Sequence, residues 1–214
     1  MPKQSAYGGK YTAILGKFEK NLVEKVVPVL PSWLGTVQLT LLTVLWSALV
    51  LLSAYLARDN VNWLWAVSLM ILFQNVTDIL DGAVGRHRKA GLVNWGYHMD
   101  HFLDYVFLSS LLIGYAFLVP DSALLILILF AILAGLLVNV FLAWGSLREF
   151  RSSYFKIGPT ELRLALIAIN TALIIFGVSY LELLLPYAAV IAAVFLLSIV
   201  YHTQKKVRET DKKS

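Results

Sequence analysis

Six long apolar stretches dominate the chain, and they limit what it can fold into. They run roughly over Trp33–Ala57, Val61–Ala83, His98–Val119, Ser122–Gly145, Thr160–Ser179 and Leu181–Tyr201. Each is near the ~20 residues that a helix needs to cross a hydrocarbon core. Hydrophobic residues make up 59% of the 214 residues and charged residues 14%. A soluble domain carries about 25% charged residues and cannot hide such an apolar excess inside a small globule. The spacing therefore predicts an all-α integral membrane protein with six transmembrane helices. Short breaks at Arg58 to Asn60, Pro120-Asp121 and Tyr180 to Glu182 carry turn signals, and longer ones fall at Gly85–Tyr97 and Ser146–Pro159. No cysteine is present, which excludes disulfides and thiolate metal sites. The first dozen residues are polar and show no secretory signal pattern.

Charge orients the spans. Of the eighteen Lys and Arg residues, only Arg58 falls on one side of the expected bilayer. The rest lie before the first span, in the loop after the second, at or near the loop after the fourth (Arg148, Arg151, Lys156, Arg163) and in the tail. The positive-inside rule then places both termini in the cytosol. The net charge of +5 is accounted for by this topology and by attraction to anionic lipid, so no nucleic-acid partner is expected. Ile14, Phe18, Leu22 and Val26 recur at helical spacing with lysines between them. They predict an amphipathic helix at the membrane surface, separated from the first span by Pro28 and Pro31. The expected organisation is a tail with an interfacial helix over 1–30, a six-helix domain over 31–203 and a basic tail over 204–214. With no targeting segment, a bacterial or archaeal cytoplasmic membrane is the expected location.

Four carboxylates are out of place in such a chain. Asp78 and Asp81 fall at the cytosolic end of the second span, and Asp100 and Asp104 at the start of the third. The i, i+3 and i, i+4 spacings put each pair on one helix face. Two antiparallel neighbours can then aim all four at one point, and no basic residue stands at helical spacing to neutralise them. Such a cluster needs counter-charge. Hard divalent cations with oxygen ligands supply it, Mg²⁺ above all where substrate phosphates also bind. Four shared carboxylates fit a two-metal arrangement. Gly82 permits close approach of a ligand to the backbone, Gly85 is small, and the Arg86 guanidinium suits phosphate. Asn139 and Asn170 sit at membrane depth, where interhelical hydrogen bonding is the expected role.

The run Asp78-Ile79-Leu80-Asp81-Gly82-Ala83-Val84-Gly85-Arg86, then nine residues, then Gly96 with Asp100 and Asp104, resembles the signature of the CDP-alcohol phosphotransferases. Seven of the eight fixed positions of that signature match; Gly85 stands where the family usually has Ala. The resemblance implies that Asp78, Asp81 and Asp100 hold Mg²⁺ or Mn²⁺, with Asp104 at the second of two divalent cations or acting as the base. It implies that Gly82, Gly85 and Arg86 contact the CDP moiety, and that Thr40 lines the nucleotide site, although the Pro-Asn that usually precedes such a Thr is absent. His101, directly after Asp100, and Glu161, in Gly158-Pro159-Thr160-Glu161, are similar to a His and Glu of the choline and ethanolamine phosphotransferases. There they pair to deprotonate the acceptor hydroxyl. Glu161 equally fits the first turn of a helix, where a carboxylate meets the helix dipole. The implied substrates are a CDP-activated alcohol and a lipid or polar alcohol acceptor, and the implied assembly is a homodimer. CDP-choline or CDP-ethanolamine with diacylglycerol is the leading expectation, and CDP-diacylglycerol with inositol, serine or glycerol phosphate the alternative. An intramembrane cation transporter and a packing scaffold are the competing readings. The former gains nothing from Arg86, and the latter predicts that alanine at Asp78 and Asp100 leaves function intact.

Overall fold

A computed structural model describes residues 15–147 and 158–212, so Lys3, Lys10, Ile14, Arg148, Arg151 and Lys156 lie outside the described residues. The described chain is helical, with a short α1 (Gly16–Val26) followed by α2 (Thr36–Leu56), α3 (Leu64–His87), α4 (Val93–Leu118), α5 (Ala123–Leu147), α6 (Pro159–Phe176) and α7 (Ser179–Asp211). Three-residue 3₁₀ turns at Val27–Val29, Val61–Trp63 and Pro120–Ser122 link several of them, and Pro28 sits within the first. Helices α2 to α7 are each long and apolar enough to cross a membrane.

The centre is a three-helix group. α2 packs along both α3 and α4, α6 lies against α3, and α5 pairs with α7. Val50 and Ala54 of α2, Ile71 of α3, and Phe107, Leu111 and Tyr115 of α4 form the heart of the main apolar core. Small side chains let the backbones approach, as membrane helices require where apolar burial from water no longer drives association. At Gly114 the fit is closest, since a Cβ there would stand 2.8 Å from the Cβ of Ala54. Gly114→Val is therefore expected to push α2 and α4 apart and cost about 1–3 kcal/mol. A lowered melting temperature in detergent or nanodiscs would show this; an unchanged one would mean that the pair is not tightly packed. Asn170 ties α3, α4 and α6 together by accepting from Tyr115 Oη at 2.8 Å and donating to Ser68 Oγ at 3.0 Å. Asn139 Nδ2 donates to Thr203 Oγ1 at 3.2 Å, joining α5 to α7. Both asparagines thus form the expected interhelical bonds.

Several boundaries differ from the sequence expectation. α3 runs past Ala83 to His87, and α4 begins at Val93 rather than His98, so the basic break shrinks to residues 88–92. Gly85 does not end α3 because α2 fills the space beside it: a Cβ there would meet Thr36 Oγ1 at 3.3 Å. The break between the last two spans falls at Gly177, whose φ of 99° favours glycine, and not at Tyr180 to Glu182. α7 continues through the basic tail to Asp211, because Gln204, Lys205, Lys206, Arg208 and Glu209 are good helix formers that a hydropathy reading overlooks.

α1 presents apolar groups on two sides. Val23 and Val26 pack with Val27 against Leu80, Ala83 and Val84 of α3, while Phe18 remains 64% exposed. The segment between α1 and α2 is held by one side chain. Arg88 donates to the carbonyls of Leu30 (2.8 Å), Pro31 (3.0 Å), Ser32 (3.2 Å) and Leu34 (3.0 Å). Pro31 O also accepts from the Leu34 N–H at 3.1 Å, and the guanidinium fork ties all four carbonyls to the end of α3.

Candidate active site

The segment 88–92 leads from the end of α3 into α4, and both helices pack on α2, with the acidic pairs near that connection. Asp78, Asp100 and Asp104 each place a carboxylate oxygen within 4.8 Å of the other two. Asp81, one turn further along α3, is 6% exposed and held toward α2. Its Oδ2 accepts from Thr40 Oγ1 at 2.7 Å, and its other oxygen meets the Gly82 N–H. Three of the four expected carboxylates thus converge, with the fourth directly behind them. Thr40 is tied to the acidic centre through Asp81, and its hydroxyl also lies 2.9 Å from the carbonyl of Thr36.

No basic residue at helical spacing answers this cluster, but Arg163, remote in sequence, reaches two of its carboxylates. Its place just inside the fifth span had grouped it with the cytosolic loop charges. In α6 it is 9% exposed, and Nη1 lies 2.8 Å from Asp78 Oδ2 while Nη2 lies 3.0 Å from Asp104 Oδ1. Asn75 steadies it, since Asn75 Oδ1 accepts from Arg163 Nη1 at 3.2 Å and from Thr160 Oγ1 at 3.1 Å. Gln74 Nε2 donates to Asp104 Oδ1 at 3.3 Å. Gln74 and Asn75 stand one turn before Asp78 on α3, and two adjacent amides in an apolar run were the available signal for them. Arg163 carried no local signal, because its partners come from α3 and α4.

The remaining expected residues surround this centre. Arg86 folds back over Gly82, where a Cβ would stand 3.3 Å from Arg86 Nη1. His101 places Nδ1 3.5 Å from Asp100 Oδ2, with Tyr97 edge-on at 4.5 Å and Phe141 of α5 stacked at 5.6 Å between ring centroids. Glu161 accepts from the Gly158 N–H at 2.9 Å, the helix-start geometry, and from the Leu15 N–H at 2.9 Å. It therefore joins the start of α6 to the start of α1. His98 is exposed and stacks on Phe102.

The donor set is all oxygen and strongly negative. It suits a hard divalent cation better than a softer metal, which would call for nitrogen or sulfur. A polytopic membrane protein with a carboxylate centre, an adjacent glycine and a phosphate-suited arginine at one end of its bundle defines a class of intramembrane phosphate chemistry. The family model described as CDP-alcohol phosphatidyltransferase matches residues 29–201. The chain belongs to that family, whose members are membrane enzymes of phospholipid synthesis that transfer phosphate-containing groups from a CDP-alcohol to an alcohol acceptor. The family typically uses divalent cations, which agrees with the Asp cluster. No curated protein and no solved structure matches the chain.

Proposed function

We propose that this chain transfers phosphocholine or phosphoethanolamine from the CDP-amino alcohol to the hydroxyl of a diacylglycerol, with release of CMP. The observation that carries this choice is His101, an imidazole set against Asp100 at the edge of the carboxylate centre. An imidazole there can accept the proton of a lipid hydroxyl near neutral pH. The acceptor oxygen bonds to the β-phosphorus, the bond from that phosphorus to the CMP oxygen breaks, and the acceptor proton passes to His101 or Asp104. Arg86, with Gly82 and Gly85 on the same end of α3, receives the CDP phosphates, and Thr40 fixes Asp81 beside them. Two divalent cations, Mg²⁺ or Mn²⁺, held by Asp78, Asp81, Asp100 and Asp104, would supply Lewis-acid charge to the pyrophosphate oxygens.

The distribution of Lys and Arg supports placing the site and both termini on the cytosolic face. A homodimer is part of the reading, and the exposed apolar faces of α5 and α7 suit lipid and a second copy alike. A second donor choice, CDP-diacylglycerol with a small polar alcohol, is favoured by Glu161, whose oxygens serve backbone N–H groups.

The test is CMP release by the purified protein with Mg²⁺ or Mn²⁺. One set supplies CDP-choline or CDP-ethanolamine with diacylglycerol, the other CDP-diacylglycerol with polar alcohols. Release confined to the first set, and reduced at least about 10²-fold in His101→Ala, is the expected result. Release confined to the second would overturn the donor choice and keep the family.

A further inference from the structure

The acidic centre carries its own cation, and this has a consequence for metal binding. Arg163 comes from α6, whereas the carboxylates it bridges come from α3 and α4. Its two guanidinium nitrogens take one oxygen from each of two carboxylates in the converging triad. They are thus placed on the same groups that a divalent cation would use. Asn75 Oδ1 accepts from the guanidinium and also from Thr160 Oγ1, and Gln74 adds a second donor to the same Asp104 oxygen. The site is therefore built to keep a positive charge on Asp78 and Asp104 before any ligand arrives.

We propose that Arg163 is a resident counter-cation that competes with the divalent cation and yields Asp78 and Asp104 when metal binds. This rests on the metal-centre reading above. Two effects of opposite sign follow. In the metal-free protein, Arg163 offsets the repulsion among Asp78, Asp81, Asp100 and Asp104, and so holds α3, α4 and α6 together. Toward an incoming cation it is a like charge at close range and a competing donor, so it raises the metal concentration at which the site fills. Arg163 would then set a threshold: the helices are locked by the guanidinium when metal is scarce, and the guanidinium is released when metal is present.

A merely structural arginine would not give this pair of effects. Removing a structural contact destabilises the protein and weakens the metal site that depends on it. Removing a competitor destabilises only the metal-free form and strengthens metal binding.

The experiment measures binding of Mn²⁺ alone, by electron paramagnetic resonance, to the full-length protein and to Arg163→Gln, with melting temperatures in chelator and in excess Mn²⁺. The expected result is a dissociation constant about tenfold tighter or more in Arg163→Gln. Its melting temperature should fall in chelator and recover toward the parent value with Mn²⁺. Equal or weaker Mn²⁺ binding in the variant would overturn the proposal while leaving the metal centre intact. No Mn²⁺ binding by either protein would overturn the metal-centre reading and this proposal with it. Should Arg163→Gln fail to fold, the parent protein decides the matter. Its ¹⁵N-labelled arginine side-chain spectrum, with Arg163 assigned from Arg163→Lys, should show the Arg163 guanidinium resonances move on Mg²⁺ titration. Resonances that stay fixed while Mg²⁺ binds would refute displacement.

Discussion

Asp100→Asn is expected to lower CMP release by about 10³-fold or more while raising the melting temperature of the metal-free protein. The two signs have one cause. Asp100 shares its site with Asp78 and Asp104, whose carboxylate oxygens lie within 4.8 Å of its own, and Asp81 stands close behind. Arg163 contacts Asp78 and Asp104 and gives Asp100 no hydrogen bond. The amide keeps the size and hydrogen-bonding capacity of the side chain and deletes one negative charge from a crowded, half-buried cluster. The folded state without metal should gain from that deletion, since like charges at this spacing repel strongly in a low-dielectric site. Phosphoryl transfer should lose, since the oxygen set that suits a divalent cation is reduced to two of its three converging members. Melting in chelator and a CMP-release assay on the same preparation check both. Lost activity with a lowered melting temperature would instead mean that Asp100 is a structural residue. Retained activity would remove the carboxylate centre from the mechanism.

Most of this centre was legible in the sequence, and the reason is local. Asp78 with Asp81 and Asp100 with Asp104 announce themselves through spacings of three and four, which a helix converts into faces. The short basic break between them fixes their common depth. The six spans were legible for a similar reason, since bilayer thickness turns hydropathy into length. Arg163 was hidden because its partners lie 85 and 59 residues away, on helices whose packing against α6 no periodicity encodes. The position of Asp81 was hidden too. It is drawn aside by Thr40 of α2, and the i, i+3 rule says only that it shares a face with Asp78. The end of α3 was misplaced because Gly85 and the basic residues after it look like a loop. The helix continues there because Thr36 packs where a side chain would be, and because Arg88 finds its acceptors on another segment.

Arg88 is also the subject of the second large effect. Arg88→Ala is expected to cost about 2–4 kcal/mol of stability, and its damage should be confined to one end of the molecule. The side chain donates to four consecutive-region carbonyls, at Leu30, Pro31, Ser32 and Leu34, between 2.8 and 3.2 Å. A hydrogen bond from a charged donor contributes roughly 1.5–3 kcal/mol, and several of these carbonyls are exposed enough for water to replace the lost partner in part. The sum therefore falls well below four full bonds. Local consequences follow from what the segment carries. It joins α1, which packs on Leu80, Ala83 and Val84, to Thr36 at the start of α2, which fills the space beside Gly85. One turn further along α2, Thr40 holds Asp81. Hydrogen exchange should therefore accelerate across residues 16–36 in Arg88→Ala, with little change in α5 or α7, which make no contact with this segment through Arg88. The Michaelis constant for the CDP-alcohol should rise more than the turnover number falls, because Thr40 and Arg86 flank the donor side of the carboxylates. Arg88→Lys should recover little of this. An ammonium has the charge but not the planar fork that reaches four carbonyls at once. Uniform acceleration of exchange through all helices would show that Arg88 supports the whole bundle rather than the segment between α1 and α2.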